Sequence, residues 1–513
     1  MTQPMNILFL MADQLAPQFL PAYGHPVVKT PRLDGIAENS VVFDAHYTNS
    51  PLCVPARAGL MTGQLPSRIN CFDSGCDYEF SIPTLAHYLR ANGYVTAQSG
   101  KAHYIGADQL HGLEKRLTAD ICPSDNCWYG IWDDPDRTLD WFHNLKNVVT
   151  AGTVERSSQQ DHDYDATHAA VRWLYDYARG SDQRPFFLKV SFTHPHDPYV
   201  TPPQYWNRYR HDEIDMPVIP FMPVADRDEH GQWLFQHYDR NEYDVTDEHI
   251  RQARHGYYGS ISLVDDLVGQ VLDALTSARL DENTIVVFTA DHGDMLGERG
   301  AWYKMSFYEH SCRVPLFIMV PGENGSRRVS QCTSLIDLMP TLLDLVLDQG
   351  CDHLVESIDG RSLSPLMSGD ATAWRDEAVA EIFFEGARAP GMLIRRGTKK
   401  YVHWEGGPCS LFDLQHDPHE KENLVTEPAY SDEIALFDKE VHERWPVEQL
   451  TEKILLKQRR NALVHQALMT GEVTALDFQP FDDASKRYYR GHGNWHKAEE
   501  RDFLRFDSKD IPE

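Results

Sequence analysis

Thr284–Ala290 reads TIVVFTA, carries no charge, and runs directly into Asp291-His292-Gly293-Asp294. A β-branched and aromatic run of this length, ended by polar turn residues, reads as a strand buried on both faces. Just upstream, Val264, Leu267, Val268, Val271, Leu272 and Leu275 fall at i, i+3, i+4, i+7, i+8 and i+11. That spacing predicts a helix after Ser260 with one apolar face. Working outward, Asn6–Ala12, Tyr94–Gln98 and Pro185–Phe192 are further strand candidates separated by helical patterns. The alternation predicts an α/β fold, a parallel sheet covered by helices on both faces.

The alternation stops near Ala371–Arg375. A smaller α+β region is expected beyond it, with strands around Ala378–Phe384, Gly391–Arg395 and Lys400–Trp404 and helices near Asp432–Arg444 and Lys453–Thr470. The final stretch mixes charges with aromatics and lacks periodicity, which suits an arm lying on a neighbouring surface. The expected division is 1–373 as a catalytic domain, 374–472 as a smaller sheet and helix domain, and 473–513 as an oligomerisation tail.

The chain has 513 residues, with 48 Lys and Arg against 77 Asp and Glu, a formal charge of −29. Nucleic acid and anionic membrane surfaces are excluded as partners, because both demand a basic footprint. No stretch approaches the roughly 20 apolar residues of a membrane helix. The Met5–Ala12 run has no basic leader and meets Asp13, so it reads as a strand and not a signal peptide. Nine cysteines, an odd number, make no disulfide framework, and a cytoplasmic setting is expected. Cys71-x4-Cys76 and Cys122-x4-Cys127 match no zinc spacing. The sequon Asn324-Gly325-Ser326 carries no meaning without secretion.

In parallel sheets, sites form beyond the carboxyl ends of the strands. Four candidates end in polar groups: Asp13-Gln14, Lys101-Ala102-His103, His194-Pro195-His196, and Asp291-His292. Asp13, Gln14, Asp291 and His292 together would suit a divalent cation, although Asp13 and Asp291 could equally cap following helices. Lys101, His103, His196 and Lys304 would hold a tetrahedral anion, or be ordinary surface charge. In Pro51-Leu-Cys53-Val-Pro55-Ala-Arg57-Ala-Gly-Leu-Met-Thr-Gly63, Pro55 suits the first turn of a helix running to Gly63. Cys53 would then sit at a helix N-terminus, where amide N–H groups favour an anion.

Cys53-Val-Pro-Ala-Arg57 resembles the C-x-P-x-R signature of type I sulfatases. The resemblance extends through Gly93-Tyr94, Gly100-Lys101-Ala-His103, Asp291-His292-Gly293, Asp337-Leu-Met-Pro340-Thr341 and Leu411-Phe-Asp-Leu-Gln-His-Asp417-Pro418. It implies the alkaline-phosphatase-like fold, a mixed or parallel sheet sandwiched by helices with a smaller C-terminal antiparallel sheet. Within the family the chain is most similar to bacterial choline sulfatases, through Ser50–Cys53, Gly63–Arg68, Asp108–Gly112, Phe142-His143-Asn144, Ser191–Tyr199 and Asp291–Gly300. The pairs Asp13-Gln14 and Asp291-His292 also occur in phosphonate monoester hydrolases, so an arylsulfatase or a phosphonate monoester or phosphodiester hydrolase is the alternative. A third possibility is a metal-stabilised anion binder in which Cys53 stays a thiol.

The resemblance implies a mechanism. A maturation enzyme oxidises Cys53 to formylglycine, whose hydrate is held by a divalent metal with Asp13, Gln14, Asp291 and His292. Ca²⁺ is the metal implied, with Mn²⁺ or Mg²⁺ open because His292 is a soft ligand. Arg57 helps deprotonate the attacking hydroxyl. Lys101, His143, His196 and Lys304 bind the sulfuryl oxygens, Lys304 or His196 protonates the leaving oxygen, and His103 is the base that releases sulfate. Ser74, Trp128, Asn144 and Glu385 complete the substrate-binding set, with Trp128 and Glu385 facing a quaternary ammonium. Two positions depart from that pattern: Ser74 stands in place of an Asn, and His496 in place of an acidic residue. The run Ala484–Tyr488 through His492 resembles the arm that completes a neighbouring subunit's pocket, implying a homodimer or homotetramer.

Overall fold

A computed structural model describes residues 4–471 except 107, 123–126, 135, 136, 138–142, 239–241, 324, 349 and 353. The tail at 473–513, with His496, and the sequon at Asn324 lie outside the described residues. In chain order the strands are β1 (Asn6–Ala12), β2 (Val41–Tyr47), β3 (Val95–Gly100), β4 (Lys115–Arg116), β5 (Gly152–Thr153), β6 (Phe186–Ser191) and β7 (Val200–Thr201). Then follow β8 (Thr284–Ala290), β9 (Leu316–Met319), β10 (Arg327–Ser334), β11 (Glu377–Ile382), β12 (Gly391–Arg396), β13 (Lys399–Trp404) and β14 (Ser410–Asp413). Eight of them form one sheet in the order β10-β2-β9-β8-β1-β6-β3-β4, and β5 pairs with β7 alone.

The middle of the large sheet is parallel: β1 pairs with β8 on one side and β6 on the other, and β6 pairs with β3. Every residue of β1, β3, β6 and β8 is buried, as near-continuous apolar strands require. The sheet is mixed because β9 runs antiparallel to both β2 and β8. β1 and β8 have the boundaries expected from their apolar runs. These four neighbouring strands carry all the expected strand-end groups, so their carboxyl ends open onto one edge.

The helix expected after Ser260 begins earlier, at Asp247, and runs to Ser277. Thr246 caps it by accepting from the backbone N–H of His249 at 3.3 Å. Its first turns carry Arg254 and His255, which are buried and polar. Arg254 donates to the Leu296 carbonyl at 3.2 Å and pairs with Asp215. Apolar spacing is blind to a helix whose buried face is made of satisfied polar groups.

Strands β11 to β14 form a separate antiparallel sheet in sequence order. β14 is too short to have shown in the apolar pattern. This sheet is fastened to the large one by buried polar contacts. Lys400 on β13, with no exposed side chain, lies 2.9 Å from Glu309 and 2.7 Å from Glu420. The Glu381 backbone on β11 donates to the Asn49 carbonyl at 3.0 Å, and Asn49 Nδ2 donates to the Pro55 carbonyl at 3.1 Å. The small sheet therefore braces the loop that carries Cys53.

Candidate active site

Cys53 is the first residue of a helix, Cys53–Thr62, that ends at Gly63 in the left-handed region with φ 68°. Its buried Sγ lies 3.1 Å from His292 Nε2, 3.9 Å from Asp13 Oδ1 and 4.0 Å from Lys101 Nζ. One turn on, Arg57 reaches the ends of four strands at once. Its guanidinium donates to Asp13 Oδ2 at 3.1 Å, Asp291 Oδ2 at 2.9 Å, and the Lys101 carbonyl and Ser191 hydroxyl at 2.9 Å each. Lys101 Nζ adds a second cation 2.5 Å from Asp13 Oδ2. The strand end that delivers Lys101 turns at Gly100, φ 85°, where a Cβ would sit 2.0 Å from the Ser191 carbonyl oxygen. Only glycine fits there.

Ligand atoms of Asp13, Cys53, Asp291 and His292 lie within 4.8 Å of one another, and all four residues are buried. The tautomer of His292 decides whether they suit a metal. Its Nδ1 lies 3.0 Å from the Gly293 carbonyl, which can only accept, so Nδ1 carries the proton. The Nε2 lone pair then faces Asp13 Oδ1 at 3.7 Å and Asp291 Oδ1 at 3.8 Å. Lone pairs of three acceptors converging in a buried space fit a cation. Arg57 and Lys101 occupy the outer carboxylate oxygens; of the inner ones, Asp291 Oδ1 accepts from the backbone N–H groups of Gln14 at 3.1 Å and His292 at 3.0 Å, which orient it toward the cluster. Burial disfavours the charge on Asp13, yet Lys101, His196, Arg57 and His292 hold its carboxyl well below the usual range.

Gln14, at φ 63°, is gripped at both ends of its amide. Its Nε2 donates to Asp294 Oδ2 at 2.7 Å and Asp197 Oδ1 at 3.4 Å, while its Oε1 accepts from Lys304 Nζ at 2.9 Å. Lys304 Nζ is also 2.7 Å from His196 Nε2 and 3.4 Å from His143 Nε2. His143 Nδ1 in turn lies 3.2 Å from the buried carboxylate of Glu385. Burial opposes ionisation of Glu385, but His143 and Lys304 bring its pKa down to about 2. The result is a continuous chain from Gln14 through Lys304 and His143 to Glu385.

His103, at φ 58°, has both ring nitrogens buried without a hydrogen-bond partner among the described residues. Burial and the neighbouring Lys101 hold it neutral, well below the usual histidine range. Trp128 meets His103 edge-on with ring centroids 5.4 Å apart. Gln14, His103, Trp128, Tyr303 and Glu385 all adopt positive φ without being glycine, a concentration of strain typical of functional sites.

Two expected residues are less engaged. The Asn144 side chain accepts from the Lys146 backbone N–H at 2.9 Å and so is spent on its own turn, while its carbonyl accepts from Tyr303. Ser74 is buried beside Asp73, whose carboxylate caps the Gly75 N–H at 3.0 Å. Three residues that hold the site had no assigned role from sequence. Asp197 and Asp294 grip Gln14, and each directly follows or lies close to a strand-end histidine, which was the available signal. Asp120 accepts from the backbone N–H groups of His103 at 2.7 Å and Ala102 at 3.0 Å. It lies in an aperiodic stretch with no signal at all. Among the described residues no disulfide joins Cys71, Cys76 or Cys122.

Comparison with known proteins agrees with this geometry. A model of the Sulfatase family matches residues 5–348, one of the N-sulphoglucosamine sulphohydrolase C-terminal region matches 297–445, and one of the choline sulfatase C terminus matches 452–506. The choline-sulfatase of Rhizobium meliloti (strain 1021) is 40% identical over 502 residues, covering 96% of this chain and 97% of that protein. An arylsulfatase of Clostridium perfringens is 28% identical over 84% of this chain and 92% of its own length. Among solved structures, the phosphonate monoester hydrolase of Agrobacterium radiobacter superposes with TM-score 0.67 at 24% identity, covering 88% of this chain and 96% of that one. A 2-O GAG sulfatase does so with TM-score 0.67 at 24% identity, covering 86% and 92%. The fold is thus the alkaline-phosphatase-like one, and the chain belongs to the sulfatase family of enzymes.

Proposed function

We propose that this sulfatase hydrolyses choline-O-sulfate to choline and sulfate in the cytoplasm, using formylglycine made from Cys53 by a maturation enzyme. The observation that carries the choline assignment is the 40% identity to a choline-sulfatase over 96% of the chain. Asp13, Gln14, Asp291 and His292 would hold a divalent cation, Ca²⁺ in our reading, which would supply Lewis acidity beside position 53.

The remaining roles belong to the chain's own side chains. Arg57 and Lys101 neutralise the outer carboxylate oxygens and fix the two aspartates. Lys101, His143 and Lys304 offer donors to the sulfuryl oxygens and stabilise charge as it develops, while His196, whose ring proton is spent on the Asp197 carbonyl, serves as the acceptor for Lys304. An alkyl alkoxide is a poor leaving group, so a proton from Lys304, relayed with His196, contributes much of the acceleration. His103 is neutral and takes the proton whose loss releases sulfate. Trp128 offers an aromatic face, and Glu385 a buried carboxylate, to the trimethylammonium end.

The test is sulfate release from choline-O-sulfate beside its neutral isostere, 3,3-dimethylbutyl sulfate, with enzyme of known formylglycine content. A strong preference for choline-O-sulfate is expected. Equal rates, or turnover confined to aryl sulfates or phosphonate esters, would overturn the choline assignment.

A further inference from the structure

Away from the Cys53 cluster, the small sheet gathers a second set of metal-ligating side chains. His403 lies near the end of β13, Cys409 just before β14, and Asp438 and His442 one turn apart on the helix Ser431–Arg444. His403, Cys409 and Asp438 offer ligand atoms that all lie within 4.8 Å of one another. Glu405 and His442 form a second triad with the same His403. None of these residues takes part in the chemistry proposed above.

The distances have the dimensions of a coordination shell. Cys409 Sγ is 3.6 Å from His403 Nδ1, and Asp438 Oδ1 is 3.2 Å from the same nitrogen. A tetrahedral zinc ion with Zn–S near 2.3 Å and Zn–N and Zn–O near 2.0–2.1 Å sets its ligands about 3.6 Å (S to N) and about 3.3 Å (N to O) apart. Hydrogen bonding alone serves this group poorly. A sulfur and a carboxylate oxygen converge on one ring nitrogen, which has a single proton to give. A cation in that proton's place satisfies all three. His403 Nε2 faces Glu405 Oε2 at 3.5 Å, a carboxylate that fixes the ring as metal-bound histidines require. The buried Tyr401 hydroxyl donates to Asp438 Oδ1 at 3.3 Å and steadies the carboxylate in the same way.

We propose that His403 Nδ1, Cys409 Sγ and the Asp438 carboxylate form a second divalent-metal site, selective for zinc-class ions. The thiolate and imidazole favour such an ion over Ca²⁺ or Mg²⁺. Binding releases the Cys409 thiol proton, and solvent completes the shell on the half-exposed side. The ion joins the β13–β14 connection to the helix Ser431–Arg444 and so stiffens the small sheet.

The test uses full-length protein carrying Cys53→Ala, which removes the other thiol close to carboxylates and imidazole. After chelator treatment it is titrated with Co²⁺. A thiolate-to-cobalt charge-transfer band should form, and Zn²⁺ should displace it. Adding Cys409→Ser should abolish the band and weaken Co²⁺ binding by at least the roughly 10–100-fold that outer-shell partners are worth. Asp438→Asn should keep the band but weaken binding, while zinc should raise the melting temperature of the parent and not of the Cys409→Ser protein. Absence of the band, or a band unchanged by Cys409→Ser, overturns the proposal.

Discussion

Lys304 Nζ stands 2.7 Å from Nε2 of His196, whose Nδ1 lies 2.8 Å from the Asp197 carbonyl. A carbonyl cannot donate, so Nδ1 holds the ring proton and Nε2 accepts from the lysine. The mobile proton therefore resides on Lys304, beside the anion donors, with His196 as its acceptor.

Lys304→Ala should accordingly lower kcat on an alkyl sulfate by roughly 10²–10⁴-fold, the range of general acid catalysis. An aryl sulfate whose leaving group needs no proton should lose far less. Steady-state kinetics on the two substrates checks this, and equal losses would mean that Lys304 only binds the sulfuryl oxygens.

Cys53→Ala should abolish turnover and leave the melting temperature within a few degrees of the parent. The native protein, when competent, should show a peptide about 18 Da lighter at position 53, the mass change of oxidation to formylglycine. Mass spectrometry with activity on matched samples is the measurement; full activity with an unmodified thiol would end the mechanism.

Trp128→Ala should weaken binding of choline-O-sulfate by roughly 1–2 kcal/mol more than that of its neutral isostere. Trp128 lies against His103, so both substrates lose some packing. Only the cationic one should lose the difference. Competition assays with the two esters give it directly, and equal losses would assign the ring to packing.

Glu381 is buried on β11, where Oε2 accepts from the Ser67 N–H at 2.8 Å and Oε1 from the Ser67 hydroxyl at 2.6 Å and Trp445 Nε1 at 2.5 Å. Burial outweighs these bonds and lifts its pKa to about 7 from an ordinary 4.5. Between those values the folded chain binds the extra proton, so stability falls as pH rises from 4.5 to 7. The loss is on the order of 3 kcal/mol by pH 8. Urea denaturation at pH 5 and pH 8 should show this difference shrink in Glu381→Gln. An unchanged difference would show that Glu381 ionises without cost.

Local pattern alone determined the four central strands, β1, β3, β6 and β8, and where their ends point. TIVVFTA and NILFLMA read as buried strands by their length and bounding polar turns, and parallel neighbours must bring their carboxyl-end groups to one edge. Asp13, Lys101, His196 and Asp291 followed from that rule; Pro55 and Gly63 placed Cys53 at a helix N-terminus, and its role came from the resemblance of Cys53–Arg57 to the sulfatase signature. Tertiary structure alone decided how those groups are held. The Gln14 amide is pinned by Asp197 and Asp294, and His143 is backed by Glu385. Asp120 supports His103, and buried Arg254 pairs with Asp215 at the start of a helix that apolar spacing placed too late. The physical reason is one of range. Apolar periodicity is a property of consecutive residues and survives in sequence. A buried polar group finds its partner beyond the reach of any local period, from 17 residues away for Asp120 and His103 to 280 for Gln14 and Asp294, and only packing sets that distance.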